Sequence, residues 1–127
     1  MQVERLYTSA THNLDIVELL DLQGNYGNTD SLNYLGLSYM QGSGQLKRDF
    51  KKAREQFMKS LKVDKKDVGA NYRLGVLHML GLGCDVNMTK ALQFFEVAKS
   101  DAHALNAIGV IYFIAPDVFE TDPVKLF

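Results

Sequence analysis

Two stretches decide the fold: LGLSYMQGSG at residues 35–44 and LGVLHMLGLG at residues 74–83. They are one phrase in two spellings, and a third version, IGVIYFIAP, runs from 108 to 116. Aligning Leu35-Gly36 with Leu74-Gly75 and Ile108-Gly109 brings other positions into step. Gly42-Ser43-Gly44 falls on Gly81-Leu82-Gly83, and Phe57 falls on Phe95. Asp49-Phe50-Lys51-Lys52-Ala53 falls on Asn87-Met88-Thr89-Lys90-Ala91 and then on Asp122-Pro123-Val124-Lys125-Leu126. A register held over so many positions is an internal repeat, the signature of stacked supersecondary units.

Each unit reads as two helices. The first carries Leu32, Leu35 and Tyr39 at three-four spacing, which sets them on one face. Leu74 and His78 stand there in the second unit, and Leu105, Ile108 and Tyr112 in the third. Gly36, Gly75 and Gly109 lie inside these helices, where glycine costs up to ~1 kcal/mol against alanine. Close approach of another helix is the packing reason that would offset the cost. Gly42, Gly44, Gly81 and Gly83 read as helix stops, because glycine takes the left-handed conformation without a Cβ clash. The second helix then begins at Asp49, Asn87 and Asp122, all good N-cap types, with Pro123 in the favoured first position. Its inward residues are Ala53 and Phe57, or Ala91, Phe94, Phe95 and Ala98. One such pair cannot bury its apolar faces alone, whereas stacked neighbours can.

The expected organisation is a single array over 1–127. A degenerate unit or cap covers 1–29, unit one 30–67, unit two 68–101 and a truncated unit three 102–127. Residues 13–23 read as a helix capped by Asn13 and ended by Gly24, with a degenerate partner helix over 2–10. The third unit breaks off one turn into its second helix, so a fragment of a longer array is expected.

Composition narrows the class. A hydrophobic share of 46% supports a packed core and excludes wholesale disorder, and a net charge of −1 gives no global attraction to nucleic acid or an anionic membrane. No apolar run reaches the ~18 residues of a membrane helix, and MQVERLYTSATHN lacks a signal peptide's apolar core. Cys84 is the single cysteine, so no internal disulfide can form.

The repeated residues resemble the Sel-1-like repeat, a relative of the tetratricopeptide repeat. Unit one matches at Leu35-Gly36, Tyr39, Gly42, Gly44, Asp49, Lys52-Ala53 and Phe57; unit two at Leu74-Gly75, Gly81, Gly83, Lys90-Ala91, Phe94-Phe95 and Ala98. His78 replaces the usual tyrosine, Leu61 and Lys99 replace an alanine, and Ala115-Pro116 stands where the third Gly-x-Gly should be. The resemblance implies an all-α, α/α solenoid, a right-handed superhelix of helix pairs that binds other proteins. Variable unit lengths and the Asn87-Met88-Thr89 acceptor triplet are similar in texture to adaptors of Hrd-type ubiquitin ligases in the endoplasmic reticulum lumen. That reading implies ligase subunits or degradation substrates as partners and a glycan at Asn87. The alternatives are a cytosolic or bacterial scaffold for another assembly and, from a different class, a hydrolase built on the repeat.

No cofactor or metal motif accompanies the repeats, and no catalytic residue is assigned. Cys84 with His78 could form a nucleophile pair, but both fill substituted repeat positions, and that explains them without new chemistry. Nine of the fourteen basic residues fall within 47–66. Interrupted by Asp49, Glu55 and Asp64, they read as a solvated helix face, and no nucleic-acid partner is expected. Insertion of this segment into a membrane is not expected either. The partner-binding candidates are matched flank positions of the first helices. They are Asn33, Leu37 and Met40; Tyr72, Val76 and Met79; and Asn106, Val110 and Phe113. They form either an apolar groove for a partner helix or packing between neighbouring units. Apolar faces left at the ends of an open array also make a homodimer an expected arrangement.

Overall fold

The computed structural model describes residues 13–43 and 46–120, with side chains from Val17 to Phe119. The elements are α1 (Asn13–Asn25), α2 (Thr29–Gln41), α3 (Phe50–Val63), α4 (Val68–Leu80), α5 (Met88–Val97), α6 (Ala102–Ile114) and the single turn α7 (Asp117–Glu120). Among the described residues there is no strand. The helix expected over 2–10, Gly44 and the cap expected at Asp122 lie outside the described residues. The chain divides into two compact units, up to Lys65 and from Lys66 onward.

In the first unit, Asn28 caps α2 by accepting a bond from the Ser31 N–H at 3.1 Å. Gly42, at φ 70°, ends the helix and donates its N–H to the Ser38 carbonyl at 2.8 Å. Asp49 caps α3 through the Lys52 N–H at 3.0 Å, and its own N–H donates to the Tyr39 carbonyl. These bonds satisfy groups that a bare helix end leaves orphaned. Leu32, Leu35 and Tyr39 are buried, facing Ala53 and Phe57 of α3. The Phe57 ring lies against Gly36, where an added Cβ would stand 2.7 Å from two ring carbons. Burying a phenylalanine contributes about 1.5–3 kcal/mol, which outweighs the ~1 kcal/mol of helix propensity lost to glycine.

Helix α1 runs past Gly24, where the sequence places its stop, and Asn13 is its first helical residue. The difference has a packing cause. A Cβ at Gly24 would run into the Leu32 side chain, so this glycine admits α2 to the surface of α1. The turn follows at Gly27, φ 87°. Ser31 Oγ donates to Gln23 Oε1 at 2.6 Å, and Ser60 Oγ donates to Asn33 Oδ1 at 2.7 Å.

The second unit repeats the construction. Asp67 caps α4 through the Ala70 N–H, and Gly81 and Gly83 take φ 69° and 72°. Asn87 caps α5 through the Lys90 N–H at 2.9 Å, and Asp101 caps α6 through the His103 N–H at 2.7 Å. Phe95 covers Gly75, with a would-be Cβ 2.5 Å from the ring. The core consists of Ala91, Leu92, Phe95 and Ala98 against Ala104, Ala107 and Ile111.

Helix α6 departs from the expectation. Leu105, Ile108 and Tyr112 should face inward, yet Leu105 is 57% and Tyr112 62% exposed. Ala104, Ala107 and Ile111 pack instead, because the two alanines let α5 come close on that side. Among the described residues, a Cβ at Gly109 would meet nothing within 4 Å, so no described ring covers the third glycine. The chain then turns at Ala115-Pro116 into α7, where Phe119 meets Tyr112 edge-on at 5.2 Å.

Candidate interaction surfaces

The nine flank positions separate by unit. Asn33, Leu37 and Met40 are half-buried, and the Asn33 carboxamide is held by Ser60. Tyr72, Val76 and Met79 pack against the second core, with the Tyr72 ring 6.0 Å from Phe95 and 6.1 Å from His103. That flank of α4 packs on the core with one side and stays half-exposed on the other. Asn106, Val110 and Phe113 are exposed, Phe113 at 88%. Leu105, Tyr112 and Ile114 add to the same open surface of α6.

The arrangement of this surface follows from the repeat register. Leu105, Ile108, Gly109 and Tyr112 stand in step with Leu32, Leu35, Gly36 and Tyr39, and with Asn71, Leu74, Gly75 and His78. In α2 and α4 those sets are buried under an aromatic ring from the next helix. In α6 the same set is a partly open seat: Leu105, Gly109 and Tyr112 are exposed, whereas Ile108 is half-buried against the second core. Sequence reasoning placed Leu105 and Tyr112 in the core. A partial signal was the pair Ala104 and Ala107, small residues that allow a close helix approach on the other side.

The Cys84 thiol lies 3.5 Å from His78 Nδ1, so the loop does bring that pair together. Its surroundings are those of a loop closure. His78 is buried and stacked on Phe94 at 5.5 Å, and its carbonyl accepts the Asn87 N–H at 2.9 Å. The groups beside the sulfur are the Leu77 and Leu82 carbonyls, which accept hydrogen bonds and give no stabilisation to a developing anion. Among the described residues, no group of three or more His, Cys, Asp or Glu could hold a metal ion. No described helix is long and apolar enough to cross a membrane. Asn87 is exposed, with its side-chain oxygen engaged in the cap. The basic residues of α3 project outward or settle on their own structure: Lys52 lies 5.7 Å from the Tyr39 ring centre, and Lys59 pairs with Asp21 at 3.3 Å.

Comparison with known proteins accounts for this repeated geometry. The Sel1 repeat model matches residues 29–55 and 68–103, which cover α2 with the start of α3, and α4 with α5. The chain belongs to the Sel1 repeat family. A Sel1 repeat protein from Oxalobacter formigenes superposes with a TM-score of 0.66 at 22% identity, over 84% of this chain and 43% of that one. A protective antigen of uropathogenic Escherichia coli strains, displaying an SLR fold, gives 0.65 at 24% identity, over 87% of this chain and 28% of that one. These likenesses establish the all-α, α/α-solenoid class of fold. Chitin synthase regulatory factor 2 of Schizosaccharomyces pombe is 29% identical over 107 residues. That match takes in 81% of this chain, which spans about a fifth (20%) of the relative's length.

Proposed function

We propose that this Sel1 repeat protein is a non-catalytic scaffold that holds a partner protein on the exposed face of α6. The carrying observation is that Val110 and Phe113, in step with flank residues half-buried in α2 and α4, are exposed there. The matching partner is an amphipathic helix that lays an apolar stripe along Val110 and Phe113. The test is co-purification of the protein's partners beside Val110→Asp and Phe113→Asp variants of unchanged helicity. Loss of the same partner from both supports this surface. Full retention in both removes it.

Within that role, regulation of an enzyme assembly is the preferred reading, supported by the printed name of the fungal relative. The second reading is an adaptor of a Hrd-type ubiquitin ligase in the endoplasmic reticulum lumen. What favours it is Asn87, exposed at the head of an Asn-Met-Thr triplet. Capping engages Oδ1, whereas a glycan joins the side-chain nitrogen, so both can coexist. An endoglycosidase mobility shift in host cells, absent in Asn87→Gln, would favour the adaptor. An unshifted protein that fractionates with the cytosol would eliminate it.

A further inference from the structure

A cleft of about 250 Å³ opens in the first unit between α1, α2 and α3. Its walls carry Glu18 and Asp21 from α1, Tyr39 from α2, and Lys52, Glu55, Gln56 and Lys59 from α3. Gln56 is the unusual member. It is only 7% exposed, and its side-chain oxygen is covered yet accepts no hydrogen bond from the described residues. An unsatisfied buried carboxamide costs free energy, and apolar residues of similar size would fill the same space without that cost. Packing therefore does not explain a glutamine here. Recognition of a ligand would: a hydrogen-bond donor brought into the cleft could satisfy the carboxamide.

The surrounding charges say which ligand. Lys59 is engaged by Asp21 at 3.3 Å, and Lys52 lies over the Tyr39 ring at 5.7 Å. Glu18 and Glu55 have no ion-pair partner among the described residues. The acceptors without a partner among the described residues are thus two exposed carboxylates and one covered amide oxygen, in a cleft with a net charge of −1 on its walls (three carboxylates against two ammoniums). An ammonium has three donors around one point. A guanidinium has five in a planar fork and can reach separated acceptors at once. The terminal torsion of a glutamine is soft, so its oxygen can turn to meet a donor in the cleft.

We propose that this cleft receives an arginine side chain from a partner protein, with Glu18 and Glu55 pairing the guanidinium and Gln56 accepting one of its N–H groups. The cleft lies wholly in the first unit, so this assignment stands or falls separately from the surface on α6. The test uses the 15N-labelled chain titrated with Nα-acetyl-arginine methylamide to tens of millimolar, beside the matching lysine probe. The Gln56 side-chain NH2 signals, assigned by their loss in Gln56→Met, are the readout. The expected result is a saturable shift with the arginine probe, a weaker response to lysine, and loss of the shift in a Glu18→Gln/Glu55→Gln double variant. No saturable shift, an equal response to both probes, or a shift unchanged in the double variant would overturn the proposal. Gln56→Met supplies a second readout: an amide kept for recognition predicts a raised melting temperature with probe binding lost. A lowered melting temperature would show that the amide is structural and would also overturn the proposal.

Discussion

Replacing Gly75 and Gly109 by alanine should change stability in opposite directions, although both stand at the same register position in the same compact unit. Alanine in place of a mid-helix glycine gains about 1 kcal/mol of helix propensity. At Gly109 no described residue lies within 4 Å of the added methyl, so the whole gain should appear. At Gly75 the methyl would fall 2.5–2.8 Å from three carbons of the Phe95 ring. That ring is fully buried and packed among Ala91, Ala98 and Ile111, so it has nowhere to retreat. Overpacking of a filled core costs about 1–3 kcal/mol, and contact with three atoms of a rigid ring belongs at the upper end. The net change at Gly75 should be a loss of about 2 kcal/mol, about 3 kcal/mol away from Gly109→Ala. Urea melts of both variants, followed by helical circular dichroism at matched m-value, measure the difference directly. A destabilised Gly109→Ala would show that α6 is covered in solution. A stabilised Gly75→Ala would refute the role given to Phe95.

The remaining predictions concern other levels of the structure. Phe95→Ala should cost about 3–5 kcal/mol by chemical denaturation, since the ring fills the centre of the second core. Met79→Glu should lower the urea midpoint of the second unit by placing a charge against that core; an unchanged midpoint would return the α4 flank to the binding surface. Asn87→Ala should cost about 1 kcal/mol through the lost cap, measured on protein without a glycan. Gln56→Met should raise stability by about 1 kcal/mol in a thermal melt, because it removes an unsatisfied buried amide.

The sequence was most legible where local chemistry and the repeat agreed. Asp49 and Asn87 were readable as caps because a short oxygen-bearing side chain before an amphipathic run has one main use, and both accept the N–H three residues on. Gly42 and Gly81 were readable as stops for a similar reason. Gly24 was misread because a glycine at a helix end and a glycine at a helix crossing look alike in a string of letters. Only the approach of Leu32 separates the two. The flank positions of α4 were ambiguous because the same spacing serves a groove or a packed interface, and in the structure these side chains are half-buried against the second core. Gln56 gave no signal, since a polar residue in a charged helix looks solvated until its burial is known.

The three internal glycines show what a repeat register encodes and what it does not. Gly36, Gly75 and Gly109 each make a seat, and the seat is a property of one helix. Whether it is filled depends on a ring carried by another helix. Phe57 and Phe95 fill the first two, and among the described residues no ring covers the third. A helix glycine without a contact loses propensity and gains no packing in return. In the first two units the gain is visible, and Gly109→Ala measures whether the third has one. The repeat register therefore fixes where a helix can be seated, while the residue that occupies the seat is set by the helix that packs on it.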